Sequence, residues 1–227
     1  MTAASPPLLP CPHPYLPLAE GARWDHVVRA GRTKTRARTT IGRIEKTATS
    51  WRAPVEVRSG ERVLRGTAEC STHGAFMDMG ALHAVGGAEG LRVASDLRSA
   101  GHEGPLLAGA DAFLPDTAWT VGLATLVSAG DSLTKRSTVR AELRFRRLAD
   151  ERVETPAGDF DAAHLVAEST GTEESVIMGR SVPARSLAPW RVELWLAPGV
   201  GEVKSAMTQG EDEIVWTLAE HEVPPAP

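Results

Sequence analysis

From Val139 to Arg146 the chain alternates without a break. Val139, Ala141, Leu143 and Phe145 are apolar, and Arg140, Glu142, Arg144 and Arg146 between them are charged. Successive side chains of an extended strand point to opposite faces, so this order gives one dry face and one wet face. A helix would scatter the same apolar residues around its circumference. The alternation fails at Arg147, where the strand is expected to end or bulge. The chain must therefore bury one side of a sheet.

Other segments carry the same signal in shorter form. Phe160–Glu168, Arg191–Leu196, Glu202–Met207 and Glu213–Leu218 read as strands rich in Val, Leu, Trp and Ala. Residues 51–58 and 62–70 read as a hairpin about Ser59-Gly60. Residues 33–44 mix Thr, Ala and Ile with Lys and Arg, which suits a solvent-facing basic strand. The stretch from Gly80 to Gly109 is the least strand-like, and it is expected to hold a short helix around 90–99 or a long crossover. Residues 170–189 form a looser region.

These segments predict an all-β fold: a curled antiparallel sheet or unclosed barrel with a small irregular or helical insertion. Residues 1–14, rich in Pro and Ala, are expected to be a flexible lead. A β-domain covers 15–218, and 219–227 form a flexible, Pro-rich tail. Tyr15-Leu16-Pro17 through Trp24 has a companion in Phe113-Leu114-Pro115-Asp116-Thr117-Ala118-Trp119. Each has an aromatic, then Leu-Pro, a polar turn and a Trp, and the two Trp lie 95 positions apart. Two related half-units, 15–109 and 110–218, would produce this.

At 227 residues with 42% hydrophobic content, the chain can build a substantial core. A formal charge of −4 gives no general reason to expect nucleic acid as a partner. No apolar run is long enough to span a membrane as a helix. The start lacks a basic region followed by an apolar stretch. A chain complete at Met1 is thus expected in the cytoplasm, and one trimmed of an export signal in the periplasm or cell envelope. Cys11 and Cys70 are the only cysteines. They can pair in an oxidising compartment, but sequence alone does not pair them, and two thiols are the expectation.

Two turn-bearing segments stand out, Thr155-Pro156-Ala157-Gly158-Asp159-Phe160-Asp161-Ala162 and Trp195-Leu196-Ala197-Pro198-Gly199-Val200-Gly201-Glu202-Val203-Lys204. Gly158 supplies a backbone angle that a side chain would obstruct, and Pro198-Gly199 makes a turn. Together with Leu18–Trp24 near the front, this set resembles the DUF3108-like family of bacterial envelope proteins and lipoproteins of unknown function. The resemblance implies a curved antiparallel sheet wrapped like an unclosed barrel, and it carries over no catalytic residue.

A curled sheet offers a concave apolar face for a lipid, another apolar ligand or a partner element. Trp24, Trp119, Trp195 and Trp216 are the candidate residues along such a face. Arg32, Lys34, Arg36 and Arg38 are a candidate anion-binding face, or they blunt an edge strand. A protein partner would dock through a sheet edge or through residues 80–109. A structural subunit of an envelope or multiprotein assembly is the alternative function. A metal-assisted or cysteine-dependent hydrolase centred on Cys70 and His73 is another. That enzyme requires at least two of Cys70, His73, Asp78, His83 and His102 to converge in a polar cleft. Their spacing is no recognised zinc framework, and Asp111, Asp116, Glu142 and Glu168 read as surface or turn carboxylates. No cofactor is expected.

Overall fold

The structure, a computed structural model, describes residues 13–47, 49–60, 62–71, 73–77, 94–109, 112–129 and 135–224. Among these residues no α-helix occurs. The first half contributes β1 (Arg23–Ala30), β2 (Thr33–Ile41), β3 (Glu45–Lys46), β4 (Ser50–Ser59), β5 (Arg62–Ser71), β6 (Gly74–Met77), β7 (Ala94–Glu103) and β8 (Leu107–Ala108). The second half contributes β9 (Ala118–Ala129), β10 (Lys135–Arg147), β11 (Glu151–Thr155), β12 (Gly158–Ile177) and β13 (Arg180–Ser186). It closes with β14 (Arg191–Ala197), β15 (Gly201–Gln209) and β16 (Asp212–Glu222).

The strands make one curled antiparallel sheet, an open half-barrel. Its path runs β4-β2-β1-β16-β15-β14-β12-β10-β9-β7-β5. β5 pairs β4 along its whole length but meets β7 only through a single parallel bridge, Arg65 with Arg98. The weak seam of the sheet therefore lies between β5 and β7.

Register carries the alternation of β10 across the sheet. Phe145 lies opposite Trp119 on one side and Ala167 on the other, and Leu143 opposite Val121 and Ser169. Leu165 then faces Leu194, Leu194 faces Ser205, and Ser205 faces Trp216. Val28 opposes Trp216, and His26 opposes Leu218. Directly opposed residues share a face. One continuous concave face thus runs from Trp119 to Trp24, and its side chains make the buried core. The guanidinium and carboxylate groups of Arg140, Glu142, Arg144 and Arg146 point to the convex side.

Two expectations need correction. The segment around 90–99 is not helical from Ala94 onward: it is β7, paired with β9. Register shifts between Ala94/Asp96 and Ser99/Gly101 break its alternation, which is why no period-two signal was legible. The region 170–189 is not loose either. β12 continues to Ile177, and β13 follows as its hairpin partner. β13 is exposed at every residue, so it has no buried face to impose an alternation. At the C-terminal end, β16 continues to Glu222.

Candidate functional site

The concave face ends in a cavity of about 60 Å³. Its walls include Leu143, Phe145, Val192, Leu194 and Leu196 from the sheet and Trp24 from β1. Tyr15, Leu16 and Pro17, with Leu106 and Leu107, close that end. The lining is overwhelmingly apolar. The volume is several times the ~10–15 Å³ that one water needs.

Two sequence motifs meet here. The indole of Trp24 donates to the Val200 carbonyl at 2.6 Å. Gly201 has φ +92°, and a Cβ built on it would lie 3.4 Å from Pro17 Cδ and 3.8 Å from the Trp24 indole nitrogen. A side chain at that position would therefore be strained by its backbone and crowd the wall. The Pro198-Gly199 turn is closed by Val200 N–H to Ala197 O at 3.1 Å, while Gly199 N–H reaches Pro14 O at 2.8 Å. The turn so pins the N-terminal lead over the cavity.

Two polar side chains line the same space. His26 and Thr39 are each 2% exposed. His26 Nε2 reaches the Glu202 carbonyl at 3.3 Å, and a carbonyl only accepts, so Nε2 carries the hydrogen. In the neutral ring Nδ1 is then an acceptor. His26 Nδ1 and Thr39 Oγ1 are both buried without a protein partner. Such groups are uncommon in folded interiors, and each calls for an explanation. Sequence reasoning passed over both residues. Trp24-His26-Val28 shares one strand face, which was the available signal.

The four tryptophans do not share one face. Trp24 lines the cavity, Trp216 lies 6.0 Å from the His26 ring, and Trp119 stacks on Phe145 at 5.6 Å. Trp119 also donates to the Leu106 carbonyl at 3.1 Å. Trp195 takes the opposite parity, because its neighbours Leu194 and Leu196 are the concave ones. It stacks on His164 at 4.5 Å, has Lys204 Nζ 4.3 Å from its ring centre, and donates to Glu151. Beside it, His164 Nε2 lies 2.8 Å from Glu193 Oε2, and Arg191 reaches the same carboxylate at 2.9 Å. Burial pushes the Glu193 carboxyl up, but these hydrogen bonds outweigh it and hold the group below its ordinary value.

Lys34, Arg36 and Arg38 alternate along the exposed face of β2, and Arg32 sits in the preceding turn. Arg38 is held by Asp25 through bonds of 2.7 and 3.2 Å. Glu211 in the β15–β16 turn, with Asp212 and Glu213 at the start of β16, lies next to this hairpin, since Ala30 pairs with Ile214.

Cys70, His73 and His102 do border one surface pocket of about 260 Å³. Cys70, however, is disulfide-bonded, and the one other cysteine of the chain is Cys11, outside the described residues. This corrects the expectation of two thiols and removes the nucleophile that a cysteine-dependent hydrolase needs. His73 is exposed, and His102 stacks on Phe76 at 3.6 Å with its Nε2 3.7 Å from Glu69. Asp78, His83 and Asp111 lie outside the described residues. Asp116 occupies a turn, Glu142 pairs with Arg144 at 3.0 Å, and Glu168 is exposed. Among the described residues no group of three or more His, Cys, Asp or Glu could hold a metal ion, and no helix is long and apolar enough to cross a membrane.

Fold and cavity define a class: a single-layer antiparallel half-barrel closed over an apolar slot. Solved structures of the same shape are known. One is a candidate lipoprotein of Parabacteroides distasonis, 13% identical, covering 92% of this chain and 98% of that one with TM-score 0.56. Another is a candidate exported protein with a YmcC-like fold from Bacteroides fragilis, 14% identical, covering 91% and 97% with TM-score 0.51. At such identities the likeness shows the fold alone. No family model matches the chain, and no curated protein matches it.

Proposed function

We propose that this chain is a non-enzymatic envelope module whose half-barrel takes the apolar end of a small amphiphile into the cavity beside Trp24. The observation that carries the reading is the pair His26 Nδ1 and Thr39 Oγ1, buried and unpartnered in an otherwise apolar slot. An apolar group with one hydroxyl or carboxyl oxygen would fill the slot and give these atoms partners. The slot suits a short chain or the end of a longer one, not a whole acyl tail. Trp216 and Trp119 stiffen the same face, while Trp195 belongs to the convex network.

Envelope residence is supported by the disulfide at Cys70, since such bonds persist in oxidising compartments. The description of the two structural neighbours as a candidate lipoprotein and a candidate exported protein agrees with it. DUF3108-like membership is supported by Leu18–Trp24 and Trp195–Lys204, whose contact at Trp24 and Val200 builds the cavity wall. A structural subunit is the second reading, favoured by the fully exposed strand β13.

A homologous series of straight-chain alkanols tests the cavity by titration calorimetry. Affinity should rise with each methylene, by roughly 0.8 kcal/mol at most, and level off once the slot is full. Thr39→Val should raise stability, because it removes a buried unpartnered hydroxyl, and weaken alkanol binding severalfold. Affinity independent of chain length, or unaltered by Thr39→Val, would rule the reading out.

A further inference from the structure

Six large hydrophobic side chains are exposed among the described residues, and five of them gather at one place. They are Leu126, Val176, Ile177, Met178 and Val182, with only Leu114 elsewhere. Four belong to the tip of the β12–β13 hairpin, where Ile177 pairs with Arg180 across a two-residue turn. Leu126 follows on β9, whose partner Thr138 pairs in turn with Glu174 of β12.

The turn residues are Met178 at φ 49° and Gly179 at φ 77°. Two successive positive φ values are the signature of a tight hairpin whose first residue is normally Asn, Asp or Gly. An unbranched apolar residue there is strained, and strain retained at a surface tip points to a role for the side chain. Met178 is also the most exposed of the group, at 80%.

The distribution of the apolar side chains indicates what covers them. Ile177 and Val182 lie on one face of the hairpin, because Ser175 pairs with Val182. Val176 lies on the other face, and Met178 projects from the turn. A protein partner docking on a sheet would cover one face. A tip that is apolar on both faces and at its apex suits immersion in a surrounding apolar phase. From Val176 to Ser186 the chain carries Arg180 and Arg185 and no carboxylate. Arg185 is paired with Glu173, and Arg180 remains exposed at the tip. Exposed Arg136 sits directly across from Val176. Cations bordering an apolar wedge complement anionic head groups and can snorkel toward them.

We infer that the β12–β13 tip is a wedge that enters the interfacial zone of an anionic bilayer, with Met178, Ile177 and Val176 in the acyl boundary and Arg180 at the head groups. This does not depend on the ligand cavity, which lies at the opposite end of the strands.

Co-sedimentation of the full chain with vesicles of phosphatidylglycerol and of phosphatidylcholine tests it. Binding should be about tenfold stronger to the anionic vesicles and fall with added salt. Met178→Asn should cut binding severalfold while raising Tm by about 1–3 °C, because Asn is the preferred turn residue. A structural role for Met178 would not give that opposed pair of changes. Ile177→Asp should cut binding further, and Leu114→Asp, the same change at the other exposed apolar site, should leave it intact. The inference is overturned if the chain binds neither vesicle, if Leu114→Asp is as damaging as Ile177→Asp, or if the tip variants change self-association in sedimentation and leave vesicle binding untouched.

Discussion

The corners that lead into β1 and β9 are built alike. In the first, Ala22 N–H bonds to Ala19 O at 3.1 Å, Gly21 N–H to Ile41 O at 3.0 Å, and Ile41 N–H to Ala22 O at 3.0 Å. In the second, Thr117 N–H bonds to Leu114 O at 3.2 Å, Asp116 N–H to Arg147 O at 2.9 Å, and Arg147 N–H to Thr117 O at 3.0 Å. Each corner has a left-handed residue three places before its Trp, Gly21 at φ 80° and Asp116 at φ 64°. Their lead aromatics touch, with the Tyr15 and Phe113 rings 5.0 Å apart. We infer that the chain holds two related units, joined along β1–β16 and β7–β9. The difference between them is instructive. Ile41 fills the first corner, whereas the second holds Arg147, buried beneath Phe113 at 5.0 Å and paired with Asp150. The backbone pattern is shared while the side chains differ, so the hydrogen-bonded turn is what the two corners have in common.

The largest contrast should come from the tryptophans. Trp24 is 4% exposed and Trp119 only half-buried. Trp24→Ala should cost roughly 3–5 kcal/mol in denaturant unfolding, and Trp119→Ala clearly less. Equal losses would mean that the second corner is as deeply packed as the first. Next come the residues that close each turn. Ile41→Ala should cost about 2–4 kcal/mol, and Arg147→Ala about 1–2 kcal/mol, because Asp150 stays largely in water when its partner is removed. A larger loss at Arg147 would make its contacts with Tyr15 and Phe113 the main tie between the units.

Exchange of the turn residues is a gentler probe. No atom lies within 4 Å of a Cβ built at Gly21, so substitution there meets only the backbone cost. Gly21→Asp should cost under about 1 kcal/mol, since Asp tolerates the left-handed region, and Gly21→Val about 1–2 kcal/mol. Asp116→Gly should be nearly neutral. Failure of Gly21→Asp to fold would break the equivalence of the two corners.

Much of this was legible because strands with one wet face write their period into the sequence. The alternation from Val139 to Arg146 declared β10, and Ser59-Gly60 declared the β4–β5 hairpin. The second half of β12 was not legible because its inward positions are Ser169, Gly171, Glu173 and Ser175, which carry no apolar period, and β13 was not because it is exposed along its whole length. The parity of Trp195 was hidden for the opposite reason: it stands between Leu194 and Leu196, and an unbroken apolar run does not say which side faces in. The cavity needed register. His26 and Thr39 are thirteen residues apart on different strands, and only the pairing of Trp24 with Thr39 and of His26 with Ala37 sets them along one wall.

The smallest expected effect concerns pH and the seam between the corners. His13 is 3% exposed, donates from Nε2 to the Ala108 carbonyl at 2.9 Å, and packs edge-on against Phe113 at 5.1 Å. Burial lowers its pKa from the ordinary histidine value, and the bond to Ala108 offsets this only in part. The folded chain therefore resists protonation that the unfolded chain accepts. Below the unfolded value of about 6.5 the unfolded state binds more protons, so stability falls as pH drops through that region and is fully present above it. Unfolding measured between pH 7.5 and 5.5 should show this decline, and His13→Gln should flatten it while leaving the corner at Trp24 intact. An unchanged slope in His13→Gln would assign the acid sensitivity to other groups and leave the contact between the two corners indifferent to pH.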